Sequence, residues 1–238
     1  MERFELLSNG MKILQHDGAF RMSTDSILLA DFCADLRGNA IADLGCGGGT
    51  LGIFLCASHP GCRVTGVELQ AGACEISRKN IEINTLEDRF SVVQADLRAL
   101  EGVLDAASFD AVVSNPPYFP ADSGYAPPDE AASIARTERT CTFDALCASA
   151  ARLLRTHGAF CLVHRPERLA ELMTTMRNRQ LEPKRLRLVR HHDGAKVSLV
   201  LLEARLGGNV GLEILPDLIL NDSSGAPTAE YRRIYHIS

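Results

Sequence analysis

The chain has 238 residues, with 25 Lys and Arg against 30 Asp and Glu and a formal net charge of −5. Hydrophobic residues make up 46 %, aromatics 5 %, and tryptophan is absent. That is material for one large α/β domain with a sizeable core, and no apolar run approaches the roughly 20 residues that cross a bilayer. The charged start Met1-Glu2-Arg3-Phe4-Glu5 lacks a signal-peptide core, so a cytoplasmic location without membrane contact is expected. The eight cysteines, at 33, 46, 56, 62, 74, 141, 147 and 161, form no CxxC pair, and the seven histidines no HExxH. Reduced core thiols and no metal follow as expectations. Net acidity argues against nucleic acid, whose phosphates need Lys and Arg.

In chain order, residues 3–7 and 11–15 read as a hairpin around Ser8-Asn9-Gly10, because Asn-Gly is a strong turn signal. Ser23-Thr24-Asp25 opens a helix with the apolar face Ile27, Leu28, Ala30 and Phe32. Strands at 40–44, 63–68, 90–94 and 109–114 then alternate with helices at 51–58 and 71–84. A helix at 143–155, a strand at 159–164 and a helix at 168–178 continue the pattern. Two longer strands, 183–190 and 196–205, are joined by a His-Asp-Gly turn, and 206–238 is a strand and short helix. Alternating elements imply a mainly parallel α/β sheet with helices on both faces, and the short turn an antiparallel final pair. The one long irregular stretch is 119–140, rich in Ala, Pro, Asp and Ser, of a size that is usually functional or disordered.

Four motifs sit where strands end. Asp43-Leu44-Gly45-Cys46-Gly47-Gly48-Gly49-Thr50 follows the first sheet strand, and its glycines let backbone N–H groups approach a ligand closely. Gly47, Gly49 and Gly52 also satisfy GxGxxG, a weak dinucleotide signal. Asp43 favours a ligand with positive charge and would repel a pyrophosphate. Glu68 ends the second strand, where an acid can accept both ribose hydroxyls, a device of NAD and S-adenosylmethionine enzymes alike. Asp96, after the third, is placed either to accept from an adenine amine or simply to cap its own loop.

After the fourth strand comes Ser114-Asn115-Pro116-Pro117-Tyr118-Phe119. The prolines fix the backbone and remove donors, leaving carbonyls to accept; Asn115 adds an amide carbonyl and Tyr118 a ring. The result is an acceptor-lined slot for a planar NH₂ group. Hydrogen bonds accepted by Asn115 and the Pro116 carbonyl favour a tetrahedral amine nitrogen whose lone pair attacks an electrophilic methyl, chiefly through positioning. An adenine in structured nucleic acid must be unstacked first, and Tyr118 would hold the flipped base.

In order and spacing, these motifs resemble the class I S-adenosylmethionine-dependent methyltransferases of the amino-methylating branch. Over nearly the whole chain, the hairpin, Phe20-Arg21-Met22-Ser23-Thr24-Asp25-Ser26-Ile27-Leu28-Leu29 and Glu182-Pro183-Lys184-Arg185-Leu186-Arg187-Leu188-Val189 resemble the bacterial tRNA1(Val) adenine-N6-methyltransferase family. The resemblance implies a Rossmann-like seven-stranded sheet with an antiparallel last strand. Residues 39–238 form its core, and 1–38 a hairpin-and-helix extension of the same single domain. It implies S-adenosylmethionine held by Asp43, Gly45, Gly47, Gly49, Glu68, Asp96 and Asn115, and catalysis at Asn115, Pro116 and Tyr118. The implied substrate is an adenine beside the anticodon of a tRNA. Where the family tends to Ala-Arg-His-Glu, this chain reads Ala135-Arg136-Thr137-Glu138, so the family's histidine has no counterpart.

Charge divided by segment reverses the first impression. Residues 1–150 carry 11 basic and 21 acidic groups, a balance of −10, whereas 151–205 carry 12 and 5, a balance of +7. Lys184, Arg185 and Arg187, with Arg190 and Lys196, make a basic cluster fit for phosphates, with Pro117, Phe119 and Arg136 nearer the slot as further substrate contacts. A glutamine amide is also a planar NH₂, so protein glutamine N5-methylation remains open, as do rRNA amino-methylation, NAD-linked oxidoreduction and a non-catalytic RNA-binding module. The sequence leaves the oligomeric state between a monomer and a weak dimer.

Overall fold

The computed structural model describes residues 2–6, 10–16, 24–116 and 142–236. Two short strands, β1 (Glu2–Leu6) and β2 (Lys12–His16), pair antiparallel as a separate two-stranded sheet. Helix α1 (Thr24–Phe32) follows. It is apolar nearly all round, with Ile27, Leu28, Leu29, Ala30 and Phe32 buried, the pattern of a helix enclosed by its neighbours.

The alternating unit then runs β3 (Ala40–Leu44), α2 (Thr50–Ser58), β4 (Arg63–Glu68), α3 (Ala71–Ile83), β5 (Phe90–Gln94) and β6 (Phe109–Ser114). It continues with α4 (Phe143–Leu153), β7 (Leu154–His164), α5 (Leu169–Asn178), β8 (Leu181–His192) and β9 (Val197–Leu206). Strands β10 (Glu213–Ile214) and β11 (Leu218–Asn221) and helix α6 (Ala229–Tyr235) close the chain.

The large sheet has the order β5-β4-β3-β6-β7-β9-β8, with β10 and β11 both on the outer edge of β8. Strands β3 to β7 are parallel, and β9 runs antiparallel between β7 and β8. The seven inner strands match the expected arrangement; β10 and β11 make nine. Central strands are buried on both faces, as β3 and β6 show, which is why they read as short continuous apolar runs. One face is covered by α1, α2, α3 and α6, the other by α4 and α5. The strand order reverses between β3 and β6, and the crevice at their carboxyl ends is where open α/β sheets bind ligands. No helix among the described residues is long and apolar enough to cross a membrane, and no group of three or more His, Cys, Asp or Glu among them could hold a metal ion.

Candidate active site at the carboxyl edge of the sheet

The glycine loop leaves β3 and bends over the end of β4. Val67 O accepts from Gly45 N at 2.8 Å and Cys46 N at 3.1 Å. Gly45, Gly47 and Gly49 have φ of +75°, +52° and +82°, a region that L side chains rarely adopt. A Cβ on Gly45 would meet nothing within 4 Å, so the loop faces open space there. Gly49 and Gly52 are glycines for another reason: a Cβ would lie 2.4 Å from Ser77 Oγ and 2.4 Å from the Phe90 ring, respectively. Cys46 packs inward, its Sγ 2.7 Å from where a Gly66 Cβ would stand.

Beneath the loop, Asp43 is 1 % exposed and its Oδ2 has no hydrogen-bond partner. Burial, with the neighbouring Glu68 charge adding to it, pushes its pKa up to about 7 against the pull of the Gly52 N–H. Glu68 braces the loop: Oε2 accepts from Gly47 N at 3.0 Å and Oε1 from Gln70 N at 2.8 Å. Each carboxylate oxygen keeps a second lone pair. Asp96 accepts from Arg98 N at 2.9 Å, capping a 3₁₀ turn, and pairs with the Arg98 guanidinium, which holds its carboxyl below the usual range. The capping role considered from sequence is thus present.

At the tip of β6, Ser114 Oγ donates to Leu44 O at 2.8 Å, pinning the end of β6 to that of β3. Asn115 Nδ2 donates to Ser26 Oγ of α1 at 2.9 Å, and Pro116 is buried. Asn115 therefore shares one sheet edge with the Asp43 loop and Glu68, on three adjoining strands. Pro117, Tyr118, Phe119 and Arg136 lie outside the described residues, as does the whole stretch 119–140. Ser26 was not singled out from sequence. It lay within the quoted 20–29 segment, but nothing in its spacing announces a partner 89 positions away.

The basic cluster requires a correction. Arg185 pairs with buried Glu203 at 3.0 Å and stacks 4.8 Å from the Phe32 ring. Arg187 pairs with Glu230 at 2.8 Å and donates to Pro216 O; Arg190 pairs with Asp217 at 2.5 Å. Lys184 donates to Asn209 O at 3.1 Å. The acids that answer these arginines come from β9 and the tail, and β8 lies three strands from β6, about 14 Å at sheet spacing. The cluster secures the tail and does not adjoin the slot. Arg165, exposed at the tip of β7 one strand from Asn115, is the basic side chain the sheet places beside it; it donates to Ser198 O at 3.3 Å.

Comparison with known proteins agrees with this arrangement. The family model described as the methyltransferase small domain matches residues 10–180. A Porphyromonas gingivalis protein named tRNA1(Val) (adenine(37)-N6)-methyltransferase is 29 % identical over 225 residues, covering 91 % of this chain and 87 % of that protein. Among solved structures, one described as a predicted O-methyltransferase from Agrobacterium tumefaciens aligns with a TM-score of 0.72 at 23 % identity, covering 90 % of this chain and 96 % of that one. Geranyl diphosphate C-methyltransferase from Streptomyces coelicolor, solved with S-adenosyl-L-homocysteine, aligns with a TM-score of 0.55 at 15 % identity, covering 75 % and 77 %. These structural likenesses are likenesses of fold.

Proposed function

The chain belongs to the methyltransferase small domain family, whose model spans residues 10–180, and from that premise we propose that it methylates the N6 amine of a tRNA adenine beside the anticodon. It is an S-adenosylmethionine-dependent methyltransferase, and its named relative supports tRNA as the substrate class.

The observation that carries the reading is the juxtaposition at one sheet edge of an acidic glycine loop and the Asn115 tip. The residues present fit an adenosyl cofactor with a cationic sulfur: Asp43 leaves a buried carboxylate oxygen unpartnered under the loop, and the Gly45 position opens on free space. A dinucleotide reading fits less well. The strand order, with β9 antiparallel between β7 and β8, departs from the order of dinucleotide-binding sheets, and Asp43 would repel a pyrophosphate.

In this reading, Gly45, Gly47, Gly49 and Glu68 seat the cofactor, with Asp96 at the adenine end. The cofactor supplies an electrophilic methyl group. Asn115 and the Pro116 carbonyl accept the two N–H bonds of the target amine, and Tyr118 stacks on the base. Positioning does most of the work, since the amine proton departs after the nitrogen becomes cationic and no strong base is needed. Phosphates fall to Arg165 at the slot's flank, with Arg136 a further contact.

The test is methyl transfer from labelled S-adenosylmethionine to a tRNA pool. Label should enter tRNA and be lost on Asn115→Ala; label entering protein alone would contradict the proposal.

A further inference from the structure

Helix α3 and its C-cap place two asparagines one turn apart, Asn80 and Asn84, that grip the hairpin. Asn84 Oδ1 accepts from Lys12 N at 2.9 Å, and its Nδ2 donates to Lys12 O at 2.8 Å. Asn80 repeats the pattern two residues along β2: Oδ1 accepts from Leu14 N at 2.6 Å and Nδ2 donates to Leu14 O at 3.4 Å. Side chains four apart lie on one helix face, and the outward backbone groups of an edge strand recur every second residue. The two amides therefore stand in for a neighbouring strand.

Asn80 does one thing more. Its Nδ2 also donates to Gly48 O, at 2.9 Å, inside the glycine loop. The side chain is fully buried, and both protons of its amide nitrogen are committed, one to the hairpin and one to the loop. A shift of either segment leaves a buried polar group unmatched, which is costly. Twelve positions after Leu14, the same chain places Ser26 against Asn115.

We infer that Asn80 is a positioning residue that couples the cofactor loop to the N-terminal hairpin, so that cofactor binding and hairpin seating stabilise each other. The inference rests on the assignment of residues 43–49 as the cofactor loop. Linkage of this kind is reciprocal, and loss of the bond to Gly48 uncouples the two segments.

Amide hydrogen exchange on the whole protein, with and without S-adenosylhomocysteine, tests it. In the wild type, the product should slow exchange of the Leu14 and Lys12 amides. Asn80→Asp keeps the side chain's shape and its acceptor toward Leu14 N but loses both donors, the short one toward Gly48 O and the long one toward Leu14 O. It should weaken product binding roughly ten- to a hundredfold and abolish the slowing at Leu14. Asn84→Ala, which loosens the hairpin without touching the loop, should weaken binding less. Unchanged hairpin exchange on binding, or an Asn80→Asp protein that is folded and binds as the wild type does, would overturn the inference; should Asn80→Asp fail to fold, the wild-type exchange decides alone. Glu68→Ala separates the premise: if it leaves product binding intact, the loop assignment fails and the inference with it. If it abolishes binding while Asn80→Asp binds as the wild type does, the coupling alone is wrong.

Discussion

Asn115 Nδ2 donates to Ser26 Oγ at 2.9 Å, so a helix from the N-terminal part of the chain anchors the Asn115 amide. With Nδ2 toward Ser26, Oδ1 stands at the opposite edge of the planar amide, and a flipped amide would present a donor to a target amine that needs an acceptor. Ser26→Ala removes the constraint and should lower kcat about tenfold, with KM for S-adenosylmethionine little changed. Ser26→Thr, which restores a hydroxyl, should recover most of the loss. Steady-state kinetics on tRNA checks both variants.

Asp43 and His164 pull the pH dependence of stability in opposite directions. With a folded pKa of about 7 against roughly 3.9 unfolded, Asp43 keeps in the folded chain a proton that the unfolded chain has released. Its effect therefore grows less favourable from about pH 4 to 7. Buried His164, pushed down to about 4 by desolvation, lacks a proton that the unfolded chain binds up to about pH 6.5, so its effect improves with pH over that window. Asp43→Asn leaves only the second slope. Its Tm should climb more steeply than the wild type's between pH 4.5 and 6.5, and exceed it at pH 8 by several degrees, about 1–3 kcal/mol. Scanning calorimetry across pH decides; parallel curves would contradict an ionisable acid buried under the loop.

Packing behind the loop makes a third prediction. Ser77 is fully buried with no partner for its hydroxyl, so Ser77→Ala should be neutral or stabilising by about 1 kcal/mol. Gly52→Ala would drive a methyl to 2.4 Å from the Phe90 ring and should cost about 1–3 kcal/mol. Chemical denaturation measures each.

Two arginines separate binding from stability. Arg165→Glu should weaken tRNA binding about tenfold and lower the salt slope by about one, with Tm little changed. Arg187→Ala leaves the partly buried Glu230 carboxylate with only the longer Arg233 contact at 3.9 Å. It should cost roughly 1–2 kcal/mol of stability while tRNA affinity stays near the wild-type value. Salt-dependent binding titrations and thermal melts read the two effects.

Much of this architecture was legible in the sequence because strands β3, β4, β5 and β6 are short apolar runs, each ending on a motif or an acid. Less legible was β7, which begins at Leu154 and passes through exposed Arg155, Thr156 and His157. There its pairing with β6 slips register between Phe109 and Ala111, and His157 takes φ +65°. A polar stretch reads as a break, yet the chain pairs across it. The tail holds two strands, β10 and β11, where one was expected: Val210, Leu212 and Ile214 are exposed edge residues, and Pro216 interrupts the ladder. The basic cluster misled because a charge count ignores partners. Glu203, Asp217 and Glu230 lie 18, 27 and 43 positions from the arginines they meet, and only the folded tail brings them together. Ser26 and Asn80 went unnoticed for the same reason, since a polar residue on a helix announces no distant partner.

The reaction proposed for the Asn115 slot places a methyl group on the N6 nitrogen of a tRNA adenine. Mass spectrometry of nucleosides digested from tRNA, after reaction with the protein and S-adenosylmethionine, tests it most directly. N6-methyladenosine should appear in the wild-type reaction and be absent with Asn115→Ala. Unmodified adenosine in tRNA alongside methylated glutamine in protein would contradict it.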